Sequence, residues 1–145
     1  EQKGRIMKYS PKTHPVIAID LDDTIWAATT SGTHIFPNPG VPFNNAVKTI
    51  NQMIATGYEV IIWTARDSEN QAKECKKALL AAGINPNFKW NYYSNHANSE
   101  YVINKASSRK IDANVFFDDR AYGAPIYSEE VWDSIYQEFF GEPHD

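Results

Sequence analysis

The chain is poor in cysteine, in excess positive charge and in long apolar runs, and each shortage excludes a class of protein. Its one cysteine, Cys75, excludes an internal disulfide framework, a cysteine-rich zinc site and an iron–sulfur cluster. The 14 basic and 18 acidic residues give a net charge of −4, which argues against broad electrostatic capture of nucleic acid. No apolar run approaches the roughly 20 residues that cross a bilayer, and the first residues lack the apolar segment of a signal peptide. We therefore expect a single cytoplasmic domain over residues 1–145, with no membrane partner.

Short apolar runs alternate with segments of helical periodicity. The runs predict four strands, at Val16–Asp20, Tyr58–Thr64, Phe88–Tyr93 and Val115–Phe117. Apolar spacing predicts three amphipathic helices, at Phe43–Thr56, Glu69–Ala82 and Glu129–Phe140. A glycine follows each predicted helix, and the apolar face of the last one is predicted from Val131, Ile135 and Phe139. Because strands and helices alternate, we predict a Rossmann-like α/β fold with three layers, α/β/α, a mostly parallel sheet and right-handed crossovers.

Acidic residues follow directly after the predicted strands. The first strand leads into Asp20-Leu21-Asp22-Asp23-Thr24, the second into Thr64-Ala65-Arg66-Asp67, and the last into Asp118-Asp119-Arg120. Aspartate and threonine are also common at strand ends because they form turns and cap helices. Three such clusters together favour a functional site, since the carboxyl ends of parallel strands meet at one edge of the sheet.

The residue types at this edge suit phosphoryl transfer. Several carboxylates at one edge repel one another unless a cation lies between them. Hard oxygen ligands without a histidine or cysteine cluster favour Mg²⁺ over zinc or copper. One carboxylate can act as a nucleophile that forms an aspartyl-phosphate, while a neighbouring carboxylic acid transfers the proton. The hydroxyl of Thr64 and a nearby lysine would stabilise the transferring phosphoryl group.

The chain resembles the haloacid dehalogenase-like hydrolases over about residues 16–122. Residues 16–25, VIAIDLDDTI, resemble the first motif of that family, an apolar strand followed by DxDxT. Residues 60–64, VIIWT, resemble the second motif, and residues 115–119, VFFDD, resemble the fourth. The third motif is a lysine ahead of the fourth.

This resemblance implies a role for each matching residue. Asp20 would be the nucleophile and a ligand of Mg²⁺. Asp22 would protonate the leaving oxygen and then activate water, with its backbone carbonyl on the metal. Thr64 would bind a phosphoryl oxygen, Asp118 would bind Mg²⁺, and Asp119 would bind it directly or through water. Because dehalogenases do not need the acid at Asp22, this residue favours hydrolysis of a phosphate ester.

Four residues near these motifs need a separate argument. Lys110 and Lys105 precede Asp118 by 8 and 13 residues, and we expect Lys110 to be the phosphate-stabilising lysine because the shorter interval resembles small relatives without a cap. Asp23 stands where the family often has glycine, and we expect its side chain to face solvent. Arg66 either clamps the substrate phosphate, as a bidentate donor, or pairs with Asp67 or Asp119.

The intervals between motifs leave no room for a cap domain. Only 39 residues separate Thr24 from Thr64, so we expect a small flap at residues 25–36 and an open site. An open site suits a phosphate at the end of a large molecule, and a nucleic acid fits only as the carrier of such an end. It also suits a small substrate enclosed by a second subunit of a homo-oligomer. A nucleotide, a sugar phosphate and a polynucleotide end all fit such a site, and the sequence does not choose among them.

Other assignments fit the sequence less well. Receiver domains of response regulators carry their acidic pair after the first strand rather than the last. A calcium loop of the EF-hand type needs a glycine and a glutamate that this loop lacks. A non-catalytic phosphate-binding or scaffold protein on the same fold is the main alternative, although none of the acidic motif residues is lost. Six aromatic or histidine side chains either stack on a substrate or pack within the protein: Trp26, His34, Phe36, Trp90, Tyr92 and Tyr93.

Overall fold

The structure, a computed structural model, describes residues 8–27, 39–66, 69–92 and 111–141. Its elements in chain order are β1 (Val16–Asp20), α1 (Asn44–Thr56), β2 (Glu59–Thr64), α2 (Glu69–Ala81), β3 (Lys89–Tyr92), β4 (Val115–Phe117) and α3 (Glu129–Phe140). The four strands form one parallel sheet in the order β3-β2-β1-β4.

This topology confirms the predicted Rossmann-like α/β class with a parallel sheet. No cap domain is evident among the described residues. Of the predicted flap at residues 25–36, only residues 25–27 are described. None of the helices in the described ranges is long and apolar enough to cross a membrane.

The register of the central strand places the acidic segments side by side. In β1, Ile19 is paired with Ile62 of β2 on one side and with Phe117 of β4 on the other. The residues that follow in β1 and β4 are Asp20 and Asp118, so the two aspartates leave the sheet next to each other. The strand pairing itself therefore brings the first and last acidic clusters together.

One face of the sheet carries the main hydrophobic core. Alternate strand residues, such as Ile17 and Ile19 of β1, point to this face and are buried. All three helices contribute to the same cluster, through Ile50, Leu79 and Trp132 among others. The helices thus pack on this face. Among the described residues, no helix forms the second outer layer of the predicted three-layer arrangement.

Helix α3 is anchored to α1 and to the loop after β1. The carboxylate of Glu129 accepts the backbone N–H groups of Asn44 and Asn45 at 2.8 and 2.7 Å, which caps the N-terminus of α1. The indole N–H of Trp132 donates to the backbone carbonyl of Thr24 at 2.7 Å. These contacts fix the acidic loop from the helix side of the sheet.

The buried face of α3 differs from the predicted one. Trp132 and Phe139 are its buried residues, whereas Val131 and Ile135 are only half-buried. The large indole of Trp132 buries more apolar surface than a valine, and in this orientation its N–H donates to the carbonyl of Thr24. The prediction was right for Phe139, right in part for Val131 and Ile135, which pack against the core, and missed Trp132.

Candidate active site

The loop after β1 is a tight turn that carries Asp22 and Asp23, directly after Asp20 at the end of the strand. The backbone N–H groups of Thr24 and Ile25 both donate to the carbonyl of Leu21, at 3.3 and 3.0 Å. Asp23 adopts a left-handed conformation with φ of 61°, which aspartate tolerates better than most residues, and it is exposed. Its exposure agrees with the solvent-facing position that the sequence predicts.

Three aspartates converge at the carboxyl ends of β1 and β4. One carboxylate oxygen from each of Asp20, Asp118 and Asp119 lies within 4.8 Å of the others. Asp20 is buried, whereas Asp118 and Asp119 are half-buried and open to solvent. Thr24 donates its hydroxyl to Asp20 at 3.4 Å, and the backbone N–H of Arg120 donates to Asp118 at 2.9 Å. Two hydrogen bonds from nearby residues, of which the one from Thr24 is long, thus orient the cluster.

The crowding of carboxylates changes the acidity of Asp20. Burial raises the pKa of Asp20 to about 9, helped by a hydrogen bond with Asp119 and by the negative charges of Asp118, Asp119 and Asp22. Without a cation, Asp20 therefore holds a proton at neutral pH. The donor set fits Mg²⁺, because it offers three hard carboxylate oxygens at an edge that solvent reaches.

The side chain of Asp22 does not join this cluster but is bound by Arg66. Arg66 Nε donates to Asp22 Oδ2 at 3.0 Å, and Arg66 Nη2 donates to Asp22 Oδ1 at 2.7 Å. Both side chains are buried, and Arg66 is only 2% exposed. Of the predicted metal-binding residues, Asp20, Asp118 and Asp119 come together, while the carboxylate of Asp22 belongs to this ion pair.

The prediction for Arg66 did not include this partner. From the sequence we expect Arg66 to bind a substrate phosphate, Asp67 or Asp119. In the structure it forms an ion pair with Asp22. Asp67 lies outside the described residues. The distance along the sequence between Asp22 and Arg66 does not predict this ion pair. The two residues meet because β1 and β2 are neighbours in the sheet.

Thr64 occupies the end of β2 and is completely buried. Its hydroxyl donates to Asp22 Oδ2 at 3.2 Å and accepts the backbone N–H of Arg66 at 3.1 Å. The resemblance implies that this hydroxyl binds a phosphoryl oxygen. In the structure it points to Asp22 instead, so Thr64 and Arg66 both contact the same carboxylate.

Trp26, which the sequence analysis offers as a stacking or a packing residue, is buried and also contacts Asp22, a role that the sequence did not predict. Its indole N–H donates to Asp22 Oδ1 at 3.0 Å, and the ring is fully buried. Two features of the sequence could have predicted this contact: Trp26 lies four residues after Asp22, and a buried indole N–H usually has a hydrogen-bond acceptor.

Trp90 is also buried in the core. His34, Phe36 and Tyr93 lie outside the described residues, as does the side chain of Tyr92.

The two candidate lysines and one exposed tyrosine remain to be placed. Lys105 and Lys110 both lie outside the described residues, so the assignment of Lys110 stays a prediction. Tyr122 is fully exposed in the loop after Asp119, and the sequence analysis did not select it.

Comparison with solved structures gives one informative similarity. The chain resembles a structure described as a conserved protein coded by a locus of Bacteroides thetaiotaomicron, with a TM-score of 0.55 and 26% sequence identity. The similarity covers 84% of this chain and 86% of that one. That description states no activity, so the similarity supports the fold. No protein-family model and no curated protein matches the chain.

Proposed function

We propose that the protein is a Mg²⁺-dependent phosphatase that hydrolyses a phosphate monoester through an aspartyl-phosphate on Asp20. The observation that carries this proposal is the convergence of Asp20, Asp118 and Asp119 at one edge of the sheet. Carboxylates at this distance either bind a cation or keep a proton, and the high pKa of Asp20 shows how strongly the metal-free cluster resists a further negative charge. The resemblance of the surrounding segments to motifs of the haloacid dehalogenase-like hydrolases supports the same reaction.

The three clustered aspartates would hold the magnesium ion, together with the backbone carbonyl of Asp22. When bound, Mg²⁺ supplies positive charge that offsets the charge of the phosphoryl oxygens and of the aspartates. The half-exposed positions of Asp118 and Asp119 leave room for water and for a substrate phosphate on the solvent side.

The covalent chemistry belongs to Asp20 and Asp22. A carboxylate oxygen of Asp20 forms a bond to phosphorus while the bond from phosphorus to the ester oxygen breaks, and Asp22, in its protonated form, gives that oxygen a proton. A water molecule then attacks the phosphorus of the acyl-phosphate and passes a proton to Asp22. The phosphorus–Asp20 bond breaks, which releases inorganic phosphate and restores both carboxyl groups.

The substrate class follows from the open edge of the sheet. With no cap evident in the described ranges, the site admits a phosphate at the end of a larger molecule or a small ester enclosed by a second subunit. The exposed ring of Tyr122 offers a surface on which a base or a sugar would pack. Lys110 would place a positive charge near the phosphoryl oxygens.

A panel of phosphate esters tests the proposal. We expect Mg²⁺-dependent release of phosphate from at least one nucleotide, sugar phosphate, aryl phosphate or phosphorylated oligonucleotide, and loss of that release in a chelator. Turnover that survives excess chelator would contradict the metal assignment. Phosphate binding measured by calorimetry, with no release from any ester, would instead favour a non-catalytic phosphate-binding protein.

A further inference from the structure

The carboxylate of Asp22 is saturated with hydrogen bonds. Its Oδ1 accepts the indole N–H of Trp26 and Nη2 of Arg66, and its Oδ2 accepts Nε of Arg66 and the hydroxyl of Thr64. A carboxylate has about four acceptor sites, two on each oxygen, so these bonds occupy them all. The orientation of Asp22 is therefore determined by its neighbours, and Arg66 supplies half of the bonds.

The burial of this pair needs an explanation beyond folding. Taking a guanidinium and a carboxylate out of water is costly, and apolar side chains of similar volume often stabilise a fold equally well or better. Arg66 is nonetheless almost completely buried, and its planar fork contacts Asp22 through both Nε and Nη2. Such a fork fixes both the position and the plane of a carboxylate, which a lysine does not do.

We propose that Arg66 is a positioning residue that holds the carboxylate of Asp22 in place for proton transfer, and that it does not bind the substrate phosphate. This inference rests on the proposed function, since it assigns Arg66 to the residue that handles protons in that reaction. Its guanidinium faces Asp22 from inside the protein, whereas the clustered aspartates Asp118 and Asp119 lie towards solvent.

The three donors to Asp22 differ in how they can release it. Arg66 and Trp26 contact the carboxylate through rigid planar groups, so their hydrogen bonds to Asp22 break only if a buried side chain moves. Thr64 contacts it through a hydroxyl, whose hydrogen rotates freely about the C–O bond. A phosphoryl oxygen that attracts this hydrogen would free one acceptor site on Oδ2. Asp22 would carry its transferable proton at this site, while Arg66 and Trp26 keep the carboxyl group in place.

The test compares Arg66→Lys and Arg66→Ala with a matched control, Lys89→Met. Lys89 forms an exposed ion pair with Glu59 at the opposite end of β2, so its variant removes a cation far from the site. Arg66→Lys keeps the charge and loses the fork, which guards against a variant that fails to fold. We expect kcat of Arg66→Lys to fall by about 10²-fold, because small displacements of a catalytic group cost that much.

Two further readouts separate positioning from phosphate binding and from stability. The inhibition constant of inorganic phosphate should stay within about twofold of the wild-type value, since Arg66 would not touch the phosphate. Added guanidinium at low concentration should raise kcat of Arg66→Ala and leave kcat of Lys89→Met unchanged.

A raised inhibition constant with normal kcat would make Arg66 a phosphate clamp and overturn the proposal. Normal kcat per folded molecule, with reduced thermal stability only, would overturn it too. An inactive wild-type protein would overturn the proposed function, and this inference with it.

Discussion

The indole ring of Trp26 packs directly against the backbone of Gly40: a methyl group on Gly40 would lie 2.6 Å from Cγ of Trp26. The ring has no room to retreat, because it is fully buried and its N–H is bonded to Asp22. Gly40 therefore belongs indirectly to the candidate site, since it permits the orientation of Trp26 that supports Asp22.

We predict that Gly40→Ala lowers both stability and activity. Forcing a methyl group into a packed region costs about 1–3 kcal/mol, which urea denaturation would measure. The displaced indole would also loosen Asp22, so kcat per folded molecule should fall. Val41→Ala is the matched control, because Val41 is adjacent and 85% exposed, and it should change neither quantity. Unchanged stability in Gly40→Ala would mean that the ring can move aside.

Asp20→Asn should abolish turnover and leave the fold intact. The pKa of Asp20, raised to about 9, means that the metal-free protein already carries a neutral side chain there at pH 7, and asparagine reproduces that neutral group. Asparagine cannot form an acyl-phosphate, so we expect kcat to fall by at least about 10³-fold. The phosphoenzyme of the wild type, trapped by acid quenching, should also disappear. Substantial turnover by the folded variant would eliminate the aspartyl-phosphate mechanism.

Magnesium affinity should rise with pH because of the same carboxyl group. Folding raises the pKa of Asp20 from 3.8 to about 9, so its contribution to stability is fully present below the lower value and is lost as pH rises through the upper one. Binding of Mg²⁺ requires the deprotonated form. The affinity should therefore increase by up to about tenfold per pH unit below about pH 9, with release of about one proton.

Calorimetry in two buffers with different ionisation enthalpies would count the released protons. Denaturation of the metal-free protein provides the second check: its stability should decrease as pH rises between 3.8 and about 9. Asp20→Asn lacks the titrating group and is the control, so its stability should depend less on pH over this range. A pH-independent magnesium affinity would contradict the proposed coupling between metal and proton.

The elements of the fold were predictable because their signals are local. Apolar runs and helical spacing gave the three helices and four strands to within one residue at nearly every end. Gly57 and Gly83 end α1 and α2 with φ of 110° and 100°, a conformation that few other residues adopt. The convergence of Asp20 with Asp118 was predictable too, since it follows from the parallel topology alone.

The network around Asp22 was not predictable, because it depends on the reach of long side chains. Arg66 is 44 residues from Asp22, and several acidic residues compete for it in the sequence. Only the three-dimensional structure shows which carboxylate the guanidinium contacts. Trp132 was missed for a related reason, since its orientation depends on an acceptor at Thr24 that lies on another element.

Lys110 and Lys105 provide a test of the third motif. One preorganised stabiliser of developing charge typically contributes about 10²–10³ in rate, whereas a solvated lysine contributes almost nothing. We therefore expect Lys110→Ala to reduce kcat by that factor and Lys105→Ala to leave it near normal. The comparison is internally controlled, because both variants remove one lysine from the same segment. The reverse result would move the third motif upstream to Lys105.

Cys75 should be inert towards thiol reagents until the protein unfolds. It is completely buried in α2, between Ala72 and Leu79 on the core face of that helix. Burial raises the pKa of its thiol to about 11, so at about pH 8 only about a thousandth of the thiol is the reactive thiolate. We expect labelling by a disulfide reagent to be very slow in buffer and rapid in urea. A matched control moves the thiol to the exposed side of the same helix, in the double variant Cys75→Ala, Lys77→Cys, which should react at once. If native Cys75 reacted as fast as that control, α2 would not be packed on the sheet as the structure places it.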